Sequence, residues 1–121
     1  METRDNTVYL RHMLDRIDKV RRYLDGYDYE MFLNDEVMID AIVRNIEVIG
    51  EAANNLAREF RSRSPQVEWR KIIGTRNRII HGYALVDMEV IWGIAKNDLP
   101  ILASEIEKML KEESEHDVTG S

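Results

Sequence analysis

The sequence contains no cysteine, only two prolines and three widely separated histidines, His12, His81 and His116. Without cysteine the chain has no disulfide, no thiolate ligand for zinc and no cysteine nucleophile. The histidines also show none of the spacings that are typical of metal sites. We therefore expect no metal site and no other cofactor, and we expect any catalysis to be metal-free or to use a borrowed ion.

Long apolar runs and an overall positive charge are lacking as well. No stretch of about 18 apolar residues is available to span a bilayer, and residues 1–6 lack the basic-then-apolar pattern of a secretory signal. We expect a cytoplasmic protein without membrane contact. The net charge of −6 also argues against a protein that coats nucleic acid through a global positive field.

Positive charge is nevertheless concentrated between residues 58 and 78. The segment has seven basic residues and two acidic ones, a local balance of +5 that leaves −11 for the remainder. Such asymmetry would let a polyanion approach one patch of the surface. The alternative, which charge alone favours, is a solvated helix surface with paired charges. The basic residues of this patch are Arg58, Arg61, Arg63, Arg70, Lys71, Arg76 and Arg78.

Apolar residues that recur every three or four positions predict two helices in the first half of the chain. The first runs from about residue 9 to 24, and a segment of one helical turn follows at 27–32. The second is the longest element. It begins at Asn34, whose side chain is a typical N-cap, and its apolar stripe continues to Phe60.

The second half of the chain predicts two further amphipathic helices. Pro65 is placed to open the third, which ends near Gly82. Asp87 caps the fourth, which is bent near Pro100 because proline cannot donate the usual hydrogen bond. From about residue 113 to 121 we expect the tail to fray.

This pattern of four amphipathic helices with short connections and no alternating strands indicates the fold class. It predicts an all-α, antiparallel, four-helix up-and-down bundle, with the extra short helix between helices 1 and 2. With 121 residues, of which 44% are hydrophobic, the chain is expected to form a single domain over 1–121.

The third helix breaks its own apolar pattern at Arg76, which projects near the middle of an isoleucine arc. An unpaired buried guanidinium costs several kcal/mol, so Arg76 needs a carboxylate, another polar partner or a bound anion. Asn77 and His81 are neighbours on one face of the same helix. One interpretation is a phosphate-binding cleft with an arginine and a titrating histidine.

The alternative interpretation is purely structural, and periodicity does not decide between the two. In it Arg76 pairs with a carboxylate of the second helix, Glu47 or Glu51, and His81 caps the last carbonyls of the third helix. Asn45 also interrupts an apolar stripe. We expect it to hydrogen-bond to a polar group of the third helix in a structural role.

The string at 74–83, Gly-Thr-Arg-Asn-Arg-Ile-Ile-His-Gly-Tyr, resembles the signature of HEPN domains (higher eukaryotes and prokaryotes nucleotide-binding). In that signature an arginine and a polar residue precede a histidine. The added glycine and tyrosine are similar to the HepT branch. The strings at 44–52 and 97–100 also resemble HepT segments in the expected order, so that nearly the whole chain is covered.

The resemblance implies a metal-independent endoribonuclease, the toxin of a type II toxin–antitoxin pair. Arg76 and His81 would be catalytic, while Asn77 and Arg78 would position the RNA substrate. Family members work as homodimers whose motifs face a shared cleft, so a homodimer is expected here. The cleavage would proceed by attack of a 2′-hydroxyl on phosphate, with no metal and no cofactor.

The resemblance also implies a protein partner, a minimal nucleotidyltransferase antitoxin that attaches AMP to Tyr83 and forms a larger hetero-oligomer with the toxin. A bulky anion beside Arg76 would occupy the place of the substrate phosphate. Two alternatives stay open at this point. One is a non-catalytic, nucleotide-binding accessory subunit of the nucleotidyltransferase, and the other is a purely structural interaction bundle.

Overall fold

The computed structural model describes residues 6–82 and 86–120, with side chains as far as Ser114. These residues form helices and turns, without any strand, and the predicted all-α, antiparallel four-helix bundle is confirmed. The helices are α1 (Asn6–Tyr23), α2 (Tyr29–Leu33), α3 (Glu36–Asn55), α4 (Arg58–Ser62), α5 (Trp69–Ile79), α6 (Met88–Gly93), a π-helical turn (Ile94–Asp98) and α7 (Leu99–Gly120).

Helix α3 lies at the centre of the packing. It contacts α5 on one side and α1 on the other, and α1 also packs on α7, while α2 and α6 lie against α3. The apolar stripes meet in one continuous core, where side chains such as Ile42, Ile49, Ile72 and Ile106 are fully buried. Helix α5, which carries Arg76, Asn77 and Arg78, therefore packs against the central helix of the bundle.

The start of α3 differs by one residue from the prediction, because its N-cap is Asp35 rather than Asn34. The Asp35 carboxylate accepts a hydrogen bond from the backbone N–H of Met38 at 3.0 Å and another from the Tyr27 hydroxyl at 2.6 Å. These bonds, first that of Tyr27, hold the pKa of Asp35 below its usual value. Asn34 instead ends the short helix α2, the predicted extra turn.

The long second helix of the prediction is interrupted, which corrects the expectation that it continues to Phe60. Helix α3 ends at Asn55, and Leu56 is extended with a ψ of 144° before α4 begins. The Asn55 side chain donates to the carbonyl of Glu51 at 3.1 Å, a bond that competes with the helical ladder. The apolar period persists across the break because Leu56 and Phe60 are both buried.

Helix α5 begins at Trp69, so the prediction that Pro65 opens it was wrong. Ser64 holds the preceding residues in a turn: its carbonyl accepts from the Val67 N–H at 3.1 Å and from the Trp69 indole at 3.0 Å. The Ser64 hydroxyl donates to the buried Glu105 of α7 at 3.2 Å. Burial raises the pKa of Glu105, but hydrogen bonds from Lys108, Gln66 and Ser64 outweigh it and lower that pKa.

The last helical unit begins at the predicted cap, since the Asp87 carboxylate accepts from the Glu89 N–H at 2.9 Å. Its irregularity is a π-helical turn, in which the Leu99 N–H donates to the carbonyl of Ile94 just before Pro100. Within this turn the buried Asp98 pairs with Lys71 of α5 at 2.8 Å. Helical backbone continues to Gly120, and fraying of the tail stays a prediction.

A helix that spans a bilayer must be both long and apolar. Over residues 6–82 and 86–120, no helix combines sufficient length with a sufficiently apolar sequence to be a candidate membrane span.

Candidate active site

Arg76 lies on the face of α5 that packs against α3, and Gly50 makes this close approach possible. A Cβ atom at Gly50 would overlap the Cβ of Arg76 and would lie 3.2 Å from the carbonyl oxygen of Ile72. Only a residue without a side chain fits between the two helices at this level. Gly50 therefore sets the distance at which α5 presents Arg76.

Two nitrogens of the Arg76 guanidinium bond to neighbouring side chains, and the third, Nε, has no hydrogen-bond partner within the described ranges. Its Nη2 forms an ion pair with Glu51 of α3, and its Nη1 donates to the Asn77 side chain at 3.0 Å. The Nε atom is buried without a hydrogen-bond partner among the described residues. Of the carboxylates proposed for the structural alternative, Glu51 is thus the one that Arg76 contacts.

The pairing with Glu51 does not seal the guanidinium from solvent. The Arg76 side chain is 21% exposed and that of Glu51 is 51% exposed. Ion pairs with this much exposure contribute little to stability, because water and salt screen them. A phosphate group can therefore compete with Glu51 for Arg76.

Arg76 lies on the wall of a cavity of about 370 Å³ between α1, α3 and α5, which we call the Arg76 cavity. Its walls carry charged side chains, and its floor is apolar. Its lining residues are Tyr9, His12, Arg44, Glu47, Val48, Glu51, Ala52, Asn55 and Arg76. Tyr9 and His12 come from α1, and the sequence reasoning missed both as site residues because no local pattern shows which helices become neighbours.

Asn77 and Arg78 point into different depressions of the surface, since successive helical residues are rotated by about 100°. Asn77 lines an open groove of about 680 Å³, the Asn77 groove, together with Arg61, Trp69 and Arg70. Arg78 lines a smaller cleft of about 250 Å³ beside the start of α6. Within one chain, the structure brings Arg76 and Asn77 into contact and directs Arg78 elsewhere.

His81 lies in the turn after α5 and is exposed. Its backbone N–H donates to the Arg78 carbonyl at 3.1 Å, and the Gly82 N–H donates to Ile79 at 2.9 Å. These backbone bonds cap the helix, so the imidazole is not needed for the role that the structural alternative gave it. Among the described residues the His81 side chain contacts no hydrogen-bond partner, and it does not line the Arg76 cavity.

Gly82 has a φ of +121°, a conformation that glycine adopts without strain. The next residue, Tyr83, lies outside the described residues. Its assignment as the acceptor of AMP stays a prediction.

The basic patch between residues 58 and 78 is only partly neutralised. Arg63 lies 3.6 Å from Glu112 and 3.7 Å from Glu113, and Lys71 and Arg76 have the partners given above. The remaining four make no ion pair with another residue in the described ranges; these are Arg58, Arg61, Arg70 and Arg78. Positive charge therefore remains available beside the Asn77 groove and the Arg78 cleft.

Asn45 is buried as predicted, but its partner is on α1 rather than on the third long helix. Its side-chain oxygen accepts from Arg16 Nη1 at 3.4 Å, and its amide donates to the Ala41 carbonyl at 2.8 Å. This arrangement agrees with a structural role. No group of three or more His, Asp or Glu side chains with the geometry of a metal site occurs within residues 6–82 and 86–114.

The helical bundle, with an arginine and an asparagine on α5 and a histidine in the turn that follows it, defines the chain as an all-α protein of the HEPN type. The Ribonuclease HepT-like family model matches residues 13–109, a range that includes Arg76, Asn77, Arg78 and His81 but not Tyr9 and His12. The chain therefore belongs to the HepT-like ribonuclease family, which confirms the resemblance seen in the sequence.

Curated relatives agree with this assignment. A protein of Caldanaerobacter subterraneus subsp. tengcongensis named "Putative RNase TTE0752" is 35% identical over 105 residues, which covers 87% of this chain and 94% of the relative. A protein of Thermococcus cleftensis named "Probable ribonuclease HepT" is 32% identical over 108 residues, which covers 89% and 98%, respectively. No solved structure matches the chain.

Proposed function

We propose that this protein is a metal-independent endoribonuclease that cleaves single RNA strands, with Arg76 and His81 as its catalytic residues. One observation carries the proposal: the Arg76 guanidinium, oriented by Glu51 and Asn77 yet still 21% exposed, lies five positions before the exposed His81 in the turn that follows α5. Membership in the HepT-like ribonuclease family supports this choice of substrate.

The chemistry needs one acid–base group and one group that stabilises charge on phosphorus. The 2′-oxygen of a ribose attacks the adjacent phosphorus, the new O2′–P bond forms and the P–O5′ bond breaks. His81 accepts the 2′-hydroxyl proton or protonates the departing 5′-oxygen. Arg76 donates to the phosphorane oxygens, whose negative charge grows in the transition state. The products are a 2′,3′-cyclic phosphate and a free 5′-hydroxyl.

Asn77 and Arg78 have positioning roles in this proposal. Asn77 holds one guanidinium nitrogen of Arg76 and lines the groove that Arg61 and Arg70 make basic. Arg78 offers an unpaired charge on the other side of α5. These cations contact the RNA backbone and fix its register, and the acidic remainder of the surface keeps RNA away from other faces.

The proposal includes a homodimer and a partner protein. In one chain His81 lies apart from the Arg76 cavity, and a twofold pairing that brings two copies of α5 together would let both motifs face one RNA strand. As a toxin, the protein would be silenced by a nucleotidyltransferase antitoxin that transfers AMP to Tyr83. The added phosphate would then occupy the site that Arg76 provides for substrate.

An RNA cleavage assay in EDTA tests the proposed activity. The wild-type protein should cut unstructured RNA and leave cyclic phosphate ends, and His81→Ala should abolish cutting while circular dichroism shows an unchanged helical content. Binding of RNA without any cutting would overturn the proposal and favour a non-catalytic accessory subunit. Cutting that requires added metal would contradict the mechanism.

Mass spectrometry tests the regulation separately. Co-expression with a nucleotidyltransferase encoded beside this chain should add the mass of AMP to Tyr83, and Tyr83→Phe should remain unmodified and uninhibited. Full inhibition of the unmodified protein would contradict control by AMP transfer.

A further inference from the structure

We propose that the Arg76 cavity binds one unstacked base of single-stranded RNA and that Glu47 makes it selective for guanine over uracil. The inference rests on the proposed RNA substrate and adds a specificity site to it. Its starting point is that the structure places α1 residues beside the catalytic arginine, in a cavity of about 370 Å³.

The charges of the Arg76 cavity cancel, which indicates a neutral ligand at its centre. Arg44 pairs with Glu47 at 3.4 Å, and Arg76 pairs with Glu51. A depression with two cations and two anions has no surplus positive charge to hold a phosphate at its centre, whereas the unpaired arginines of the Asn77 groove and the Arg78 cleft lie on other faces of α5. The cavity therefore suits the base of a nucleotide whose phosphate lies at the rim.

The lining also has the chemistry that unstacked bases require. Val48 and the buried Ala52 give an apolar floor, and Tyr9, packed on the core, and the exposed His12 offer rings from α1. Proteins hold splayed RNA bases by stacking them on such side chains and by hydrogen bonds to their edges. The volume is within the range of about 300–1,000 Å³ that small-molecule sites have.

Glu47 is the group that distinguishes among bases. Its side chain is 29% exposed, and its contact with the largely exposed Arg44 is of the weak kind that rearranges readily. Guanine offers two adjacent N–H donors on its Watson–Crick edge, which match the two oxygens of one carboxylate. Uracil offers one N–H between two carbonyl oxygens that would face the carboxylate, so its binding is opposed.

Arg76 connects this base site to the cleavage site. It lines the cavity and also contacts Asn77 at the edge of the basic groove. A base held against Tyr9 or His12 would place the attached phosphate near the guanidinium. Base recognition then aligns the bond that is cut.

Binding of labelled nonanucleotide RNAs to His81→Ala protein tests the proposal without cleavage. The RNAs contain uridine at every position except the central one, which is guanosine or uridine, and fluorescence anisotropy gives each Kd. We expect the guanosine RNA to bind about fivefold more tightly or better. Adding Glu47→Gln should reduce this ratio to less than twofold, whereas the exposed Glu107→Gln, on α7, should preserve it.

A second variant separates stacking from selection. His12→Ala should weaken binding of both RNAs about fivefold, because a stacked ring is lost, and should keep the guanosine preference. Equal affinity for the two RNAs, or a preference that survives Glu47→Gln, would overturn the base site.

The result is independent of whether the wild-type protein cuts RNA. A Glu47-dependent preference in a protein without nuclease activity would refute the proposed function alone. Cleavage without any guanosine preference would refute the base site alone.

Discussion

Arg76 is the residue at which packing and proposed chemistry meet. Its aliphatic stem lies against Gly50 in the contact between α3 and α5, and its guanidinium is divided among Glu51, Asn77 and one unsatisfied N–H. This division depends on a planar group with several donors at fixed angles. Arg76 is consequently oriented before any substrate arrives.

Replacement of Arg76 by lysine tests whether this geometry matters. A lysine ammonium keeps the charge but has all its N–H donors on one nitrogen, so it cannot reproduce the planar spread of donors that orients Arg76 between Glu51 and Asn77. We therefore expect Arg76→Lys to lower kcat about 100-fold or more. Steady-state cleavage of a fluorogenic RNA measures the kcat of each variant. Arg70→Lys keeps the positive charge at a position that is proposed only to attract the RNA backbone. It should change kcat by less than about threefold. Comparable losses in both variants would argue against a specific role for Arg76.

The residue scale also shows what sequence reasoning leaves undecided. The isoleucine arc around Arg76 shows that the guanidinium needs a partner, and both Glu47 and Glu51 were candidates. Only the register between α3 and α5, set by the contact at Gly50, selects Glu51. Asn45 shows the same limit, because its burial follows from its stripe while its partner Arg16 belongs to another helix.

At the scale of elements, the packing of α5 on α3 positions the candidate site. Gly50→Ala introduces a Cβ that must overlap Arg76 or push against the backbone at Ile72. We expect it to lower the free energy of unfolding by about 1–3 kcal/mol, as over-packing usually does. Urea denaturation followed by circular dichroism measures the change.

Gly74→Ala is the matched control for this prediction. Gly74 lies within α5, and an added Cβ there meets nothing within 4 Å. Alanine is a better helix former than glycine, so this variant should gain about 0.5–1 kcal/mol. Equal effects at the two positions would show that the close approach of α3 and α5 is not the cause.

The cap of α3 makes a pH-dependent contribution. The folded pKa of Asp35 is lowered by the Tyr27 hydroxyl and the Met38 N–H, so its stabilisation is present above the unfolded value of about 3.9. It is lost as the pH falls through the lowered folded pKa. The stability difference between wild type and Asp35→Asn should therefore shrink from pH 7 toward pH 3.

Thermal or urea unfolding at several pH values measures this difference. Tyr27→Phe removes the hydroxyl donor but leaves the Asp35 cap. It should show part of the pH-dependent loss of stability that Asp35→Asn shows. A difference that stays constant over the whole range would show that the Asp35 carboxylate does not act as described.

Helix boundaries were predicted best where a single capping side chain determines the first residue of the helix. Asp87 caps its helix in the structure as the sequence indicates, and the start of α3 is displaced only from Asn34 to Asp35. The interruption after Asn55 was not predicted, because the apolar period continues across it. Likewise, the late start of α5 depends on Ser64, whose hydroxyl bonds to Glu105 of a distant helix.

For the whole molecule, the amphipathic periods and short connections were sufficient to predict a four-helix bundle, since few other arrangements bury four such stripes. The association of two chains is a separate prediction. Sedimentation equilibrium should give twice the chain mass of 14.2 kDa. A monomer at micromolar concentration that cleaves RNA at the full rate would contradict a site shared between two copies.

The central claim is that Arg76 and His81 act on one phosphate in one transition state, and a double-mutant comparison of single-turnover cleavage rates tests it most directly. Groups that work as a unit lose little more together than the more damaging change loses alone. The account predicts that Arg76→Lys combined with His81→Ala cleaves RNA about as slowly as the worse single variant. Losses that multiply would show that the two residues act independently and would contradict it.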